Sequence, residues 1–194
     1  MRMTTRTALF GLMAYPLAAQ VTASGGLILP LDSLKKATNA NLAYTAGADL
    51  GGHLPGTEVP ARAGLSFALM PGQQRNGLTT SLRLVQLHGD VFLATGTSKL
   101  RALAGLSLNS YTMSTSGIEN SADPLDRDHH FPIRHAAGLK LGLRLGLEYT
   151  ITHSMALEMT FQQTELTGKD LQDPLVRQGG INPGWVQMLV TYHF

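Results

Sequence analysis

The sequence predicts an all-β chain: an eight-stranded antiparallel up-and-down barrel that crosses a membrane with its strands. Three observations carry this reading. Residues 138–151, GLKLGLRLGLEYTI, alternate between large apolar residues and glycine or polar residues, the period of a strand with two unlike faces. The same period recurs along the chain from residue 41 onward. Hydrophobic residues make up 43% and charged residues only 14%, against roughly 25% charged in soluble domains. Yet no apolar run reaches the roughly 18 residues of a membrane helix. Such a chain must hide its apolar surface another way. With 194 residues it is long enough for one domain plus a processed segment.

The N-terminus reads as a secretory signal. Arg2 and Arg6 precede the apolar stretch 7–19, TALFGLMAYPLAA, and Val21-Thr22-Ala23 offers small residues at cleavage spacing. Cleavage is expected after Ala23, with Ala19 as the alternative. Residues 1–23 are thus a signal peptide, 24–40 a periplasmic tail interrupted by Pro30, and 41–194 the barrel. The 15 basic and 13 acidic residues of the whole chain become 13 and 13 once Arg2 and Arg6 are removed. Nucleic-acid binding then loses its electrostatic basis. There is no cysteine, so disulfides, thiolate metal sites and a lipoprotein anchor are excluded.

Each strand follows from its alternation. In 41–51 the apolar set is Leu42, Tyr44, Ala46, Ala48 and Leu50, opposite Thr45, Gly47 and Asp49. In 59–70, Ala61, Ala63, Leu65, Phe67 and Leu69 oppose Arg62, Gly64 and Ser66. Segments 78–88 and 90–97 are less clean and read as two strands around a His88-Gly89-Asp90 turn. In 100–112, Leu100, Ala102, Ala104, Leu106 and Leu108 oppose Arg101, Gly105, Ser107 and Asn109. In 138–151, five leucines, Tyr149 and Ile151 oppose glycines and Lys140, Arg144 and Glu148. Fourteen residues is long beside the 5–6 of a typical soluble strand, and suits one that crosses a bilayer and projects beyond it. A helix here would scatter the charges among leucines, and each glycine would cost about 1 kcal/mol. In 155–164, Met155, Leu157, Met159 and Phe161 oppose Glu158, Thr160 and Gln162. In 184–194, Val186, Met188, Val190, Tyr192 and Phe194 oppose Gln187, Thr191 and His193.

This makes eight strands. Gly52–Glu58, His88–Asp90, Thr115–Arg134 and Gly168–Pro183 fall at one end, and Pro71–Gly77, Thr97–Lys99 and Thr152–Ser154 at the other. The two long loops share an end, as outer-membrane barrels require. Tyr44, Tyr111, Tyr149, Phe161, Trp185, Tyr192 and Phe194 lie near strand ends, where aromatic girdles form.

The lumen candidates are Asp49, Arg62, Arg83, Arg101, Lys140, Arg144, Glu148 and Glu158. An eight-stranded barrel has an interior that side chains just fill, and buried charges there must be paired. One reading is a structural ion-pair network that plugs the lumen. The other is a narrow conduit or pocket for a small hydrophobic compound, lined by Val85, Leu87, Leu103 and Leu189. No cofactor or metal is implied. Stretch 115–134 holds Glu119, Asp123, Asp126, Asp128, His129 and His130, which reads as a solvated acidic loop because no fixed ligand spacing is present.

The last strand, with Val190, Tyr192 and terminal Phe194 at every second position, resembles the C-terminal assembly signal of bacterial outer-membrane barrels. Ile181-Asn182-Pro183-Gly184-Trp185-Val186-Gln187-Met188 before Tyr192-His193-Phe194 is similar to the ending of the outer membrane protein W family. Ser98-Lys99-Leu100-Arg101 leading to Ala104-Gly105 and Tyr111-Thr112 is also similar, as is Gly138–Tyr149. The resemblance covers roughly 98–194 and extends to the OmpX and OmpA-like barrels. It implies a Gram-negative outer membrane, partners in outer-membrane lipid, lipopolysaccharide and the barrel assembly machinery, a monomer, and passage of small hydrophobic compounds. A closed structural or adhesion barrel acting through its loops is the alternative. Lipid A deacylase barrels carry a late His-x-Ser-Asn run. This chain has Phe161-Gln162-Gln163-Thr164-Glu165 there, which points away from an enzyme.

Overall fold

The computed structural model describes residues 20–194 except 32–33, 36–37, 76–77, 95–98, 119–129, 169–170, 173–179 and 182–183. Residues 1–19 of the expected signal 1–23 and 119–129 of the expected acidic loop 115–134 lie outside the described residues, whereas 115–118 and 130–134 of that loop belong to strands. Eight long strands form the chain: β1 (Gln20–Pro30), β2 (Ala43–His53), β3 (Pro60–Met70), β4 (Leu78–Ala94), β5 (Leu100–Ile118), β6 (His130–Thr152), β7 (Met155–Gly168) and β8 (Gly184–His193). Each pairs antiparallel with its sequence neighbour, and β1 pairs with β8 to close the barrel. Closure leaves no sheet edge, so every strand finds its backbone partners inside the chain.

The strand count matches the expectation, but by two corrections that offset each other. Residues 24–30 are not a tail, and 20–23 of the expected signal belong to the same strand. Gln20–Ile28 pair with β2 and Thr22–Pro30 pair with β8. Pro30 is the last residue of β1, where its missing N–H does little harm. Segments 78–88 and 90–97 are not two strands, because β4 runs unbroken through His88-Gly89-Asp90 to Ala94.

These corrections move the connections. The turn 54–59 sits with the strand ends Ala94 and Leu100 and the turn 153–154 at the short-turn end, which also holds Gln20 and Phe194. The strand ends Pro30, Ala43, Met70, Leu78, Ile118, His130, Gly168 and Gly184 share the long-loop end. Residues 52–58 and 71–77 therefore exchange the ends first expected for them. The 54–59 turn is tied by Leu54 N–H to Val59 O at 2.9 Å and Thr57 N–H to Leu54 O at 3.0 Å. Gly56 takes the positive φ of 74° that this turn needs.

The barrel is inside-out. Leu139, Leu141, Leu143, Leu145 and Leu147 are all exposed, as are Leu65, Phe67, Leu106, Met159 and Val190. Arg144, Glu148, Glu158, Asp90, Gln86 and Gln162 are buried. β4, β5 and β6 run for 17, 19 and 23 residues, beyond the roughly 9–11 that cross a bilayer.

Candidate functional site

The lumen is built from the polar face of every strand, and its layers can be read from one end to the other. At the short-turn end, inward residues Gln20, Thr22, His53, Phe92, Arg101 and His193 surround an open cavity of about 380 Å³. Thr22 Oγ1 lies 3.1 Å from His193 Nδ1, joining the first strand to the last.

Above this lies a charged belt. Arg62 donates from Nε and Nη2 to Asp90 Oδ2, at 3.0 and 2.8 Å. Its Nη1 stands 2.6 Å from Glu158 Oε2 and 3.8 Å from Glu148 Oε2. From the opposite wall Arg144 donates to Asp90 Oδ1 at 3.0 Å and to Gln86 Oε1 at 2.6 Å, and its Nη2 reaches Glu158 Oε1 at 3.4 Å. Arg101 is held by Glu148, with Nε 3.1 Å from Oε1. His88 Nε2 lies 2.9 Å from Asp49 Oδ1. The ring of Phe92 sits beneath two guanidiniums, 4.2 Å from that of Arg101 and 5.1 Å from that of Arg62. Three arginines thus face Asp49, Asp90, Glu148 and Glu158, with His88 against Asp49. The belt spans the lumen, because Arg62 on β3 and Arg144 on β6 share one carboxylate from β4. Fork-shaped guanidiniums suit this sharing, since each offers several donors in one plane.

Glycines make room for these groups. A Cβ on Gly105 would lie 2.1 Å from Asp90 Oδ1 and 2.3 Å from the Gly89 carbonyl oxygen. One on Gly64 would lie 1.7 Å from Asp49 Oδ1. The alternation of glycine with long charged residues is therefore a packing device: one position supplies the group and its neighbour supplies the space.

A layer of amides follows. Gln86 Nε2 donates to Asn109 Oδ1 and Gln162 Oε1, both at 2.7 Å, and Gln162 Nε2 donates to Ser107 Oγ at 2.6 Å. At the long-loop end the interior turns apolar. Ile28, Met70, Leu82, Leu84, Tyr111, Met113 and Trp185 form one buried cluster with Leu34. Leu34 belongs to the 31–42 connection, which folds over this end. Thr38 Oγ1 donates to Leu34 O at 2.8 Å, and Gln73 N–H donates to Thr38 O at 3.3 Å.

Of the eight lumen candidates, Asp49, Arg62, Arg101, Lys140, Arg144, Glu148 and Glu158 face inward, and all but Lys140 join the belt described above. Lys140 is buried at the level of Asn109, which donates to its backbone oxygen at 3.4 Å. Arg83 does not belong there. It lies on the outer face of β4, paired in register with Leu69 and Thr112. The conduit set is divided: Leu103 and Leu189 are buried inside, whereas Val85 and Leu87 are exposed on the outer wall. Both corrections have one cause. Residues 82–87 are mostly apolar on both faces, because Leu82 and Leu84 serve the inner apolar cluster, so alternation there lacks contrast. Trp185 and Tyr111 also point inward, ring centroids 6.3 Å apart in a T-shaped pair, rather than joining a girdle. Tyr44, Tyr149, Phe161, Tyr192 and Phe194 are exposed outward, and so is Val190 in the proposed assembly signal. Sequence reasoning missed Gln86, His88 and Asp90. A single period of two continued through 80, 82, 84, 86, 88, 90 and 92 finds all three.

No family model matches the sequence, and no curated protein matches it. Solved structures do. Neisserial surface protein A superposes with a TM-score of 0.57 at 12% identity, over 91% of this chain and 97% of that one. The attachment invasion locus protein Ail of Yersinia pestis gives 0.52 at 8%, over 91% and 97%. The N-terminal barrel domain of Pseudomonas aeruginosa OprF gives 0.52 at 14%, over 90% and 97%. The chain has the fold of the small bacterial outer-membrane barrels. At these identities the likeness is one of fold, and it does not single out the outer membrane protein W subtype.

Proposed function

We propose that this chain is an integral outer-membrane barrel, closed to solutes, that acts through the loops at its long-loop end. The observation that carries this reading is the belt of Arg62, Asp90, Arg144 and Glu158, which joins opposite walls through the lumen, below an apolar cluster covered by Leu34. A conduit for small hydrophobic compounds would have to pass both. It also loses half of its expected lining, since Val85 and Leu87 face outward. The exposed leucine stripe 139–147 is an aggregation hazard in water and an ordinary lipid-facing surface in a bilayer. The short turns and both chain ends then face the periplasm, and the long loops face outward.

Ail has also been crystallised with the heparin analogue sucrose octasulfate. Here the stretch 119–129 carries Glu119, Asp123, Asp126 and Asp128 against Arg127. A loop of that charge repels a polyanion, so its partner is of another kind.

The same reading places signal cleavage after Ala19. Thr22 and Ala23 are paired on both sides, and Val21 pairs with Leu50 on one side while Phe194 N–H donates to its carbonyl oxygen at 3.0 Å on the other. Cleavage after Ala23 would strip the first turns of hydrogen bonding from the seam that closes the barrel.

Because the chain has no cysteine, single introduced cysteines test location and orientation directly. Asn120→Cys should react with a membrane-impermeant maleimide on intact cells, and Ser154→Cys only after lysis, with the protein in the outer-membrane fraction. Labelling of Ser154→Cys on intact cells, or recovery in the soluble fraction, would overturn the assignment.

A further inference from the structure

The cavity at the short-turn end has a polar lining whose donors outnumber its acceptors. Arg101 donates from Nε and Nη2 to the same oxygen of Glu148, Oε1, and its Nη1 has no partner among the described residues. Its side chain is 36% exposed, unlike that of Arg144 at 1%. The guanidinium carbon lies over the ring of Phe92, 4.2 Å from its centroid, a contact that restrains the group and leaves Nη1 available. His53 lines the same space with no side-chain hydrogen bond among the described residues, and the His193 ring has only its Nδ1 engaged, by Thr22. The single carboxylate in the lining, Glu148, gives Oε1 to Arg101 and holds Oε2 3.8 Å from Arg62 Nη1. Pro60, Ala61 and Phe92 supply apolar walls.

We propose that this vestibule binds a small organic anion from the periplasmic side: a carboxylate carried on a flat apolar body, held by Arg101 and the two imidazoles. A guanidinium edge recognises a carboxylate with paired donors, and a guanidinium stacked on an aromatic ring keeps that edge oriented at little entropic cost. A volume of about 380 Å³ falls within the range of small-molecule sites. The polar belt forms a closed floor, so the ligand enters and leaves by one mouth. This inference rests on the proposed orientation and on a mature chain that begins at Gln20, which lines the cavity.

The test uses isotope-labelled protein extracted from the outer membrane of expressing cells into detergent micelles, with its first residue read by N-terminal sequencing. Benzoate is titrated by NMR beside benzyl alcohol, its uncharged counterpart, and sodium chloride at matched ionic strength. Saturable benzoate shifts are expected at the Arg101 Nε–H and at the amides of Gly51 and Phe92, with none from the alcohol or the salt. Arg101→Gln should abolish them. Should that variant fail to fold, His53→Gln combined with His193→Gln, at the exposed rim, should weaken binding at least threefold. Absence of saturation, equal shifts with benzyl alcohol or chloride, or an unchanged double variant would overturn the vestibule site. A mature chain beginning at Ser24 would overturn the cleavage site and remove Gln20 and Thr22 from the vestibule wall, whereas failure of benzoate to bind a chain that begins at Gln20 would overturn the vestibule site alone.

Discussion

Asp90 receives hydrogen bonds from Arg62 on one side and Arg144 on the other, with its side chain fully buried. Changing it to Asn keeps the shape and removes the charge both guanidiniums share. Removing one partner of a buried ion pair leaves charge uncompensated and typically costs 3–5 kcal/mol. Glu158 still faces both arginines, so Asp90→Asn is expected to destabilise by about 3 kcal/mol. The chain has one tryptophan, buried against Tyr111 inside the barrel. Its fluorescence during urea unfolding in micelles reports this loss as a lower midpoint, and an unchanged midpoint would mean the belt does not hold the barrel together. Gly105 makes the complementary case. Its Cβ would meet a backbone carbonyl at 2.3 Å as well as Asp90, so rotamer adjustment cannot relieve it. Gly105→Val should cost about 1–3 kcal/mol by overpacking, read by the same unfolding curve.

Among the elements, β1 and β4 hold the sequence's least readable information, for different physical reasons. The stripe of β6 and the clean phases of β2, β3, β5, β7 and β8 were legible because an apolar outer face and a polar lumen impose maximal contrast on alternate residues. In β1 that contrast is weak, since Thr22, Ser24, Gly25 and Gly26 are small on both faces, and Val21-Thr22-Ala23 doubles as a cleavage-like motif. In β4 the inner residues change character along the strand, from Leu82 and Leu84 to Gln86, His88 and Asp90. His-Gly-Asp imitates a turn in a soluble protein, but in a barrel with a polar lumen these are mid-strand residues. The seven lumen charges were legible because each lies on a clean strand. Their pairing was not, because it depends on contacts between non-adjacent walls such as those of β3 and β7. β1 supplies the seam: a Cβ on Gly26 would lie 1.9 Å from the Met188 carbonyl oxygen, so β1 and β8 meet there as bare backbone. Deleting Gln20–Ala23 should leave Ala48–Gly51 and Tyr192–His193 without their β1 partners. The expected result is loss of the compact, heat-modifiable band on unboiled gels, whereas its retention would show that the seam tolerates a shorter β1.

For the whole molecule, the outer wall and the lumen make separate claims. Leu143 lies within the exposed stripe, and Leu143→Arg should cost about 2–4 kcal/mol of insertion stability if it faces the bilayer near its midplane. Folding titrations into vesicles measure that cost, and normal insertion would place this face away from lipid. The lumen claim is the central one: the charged belt and the apolar cluster close the barrel to solutes. Reconstitution of the folded protein into planar bilayers tests it most directly, with parallel liposome assays of a small sugar and a small apolar solute. The account predicts stable insertion with no discrete conductance steps and no flux of either solute. Reproducible steps, or apolar flux that disappears when Leu103 is made charged, would contradict it and restore the conduit.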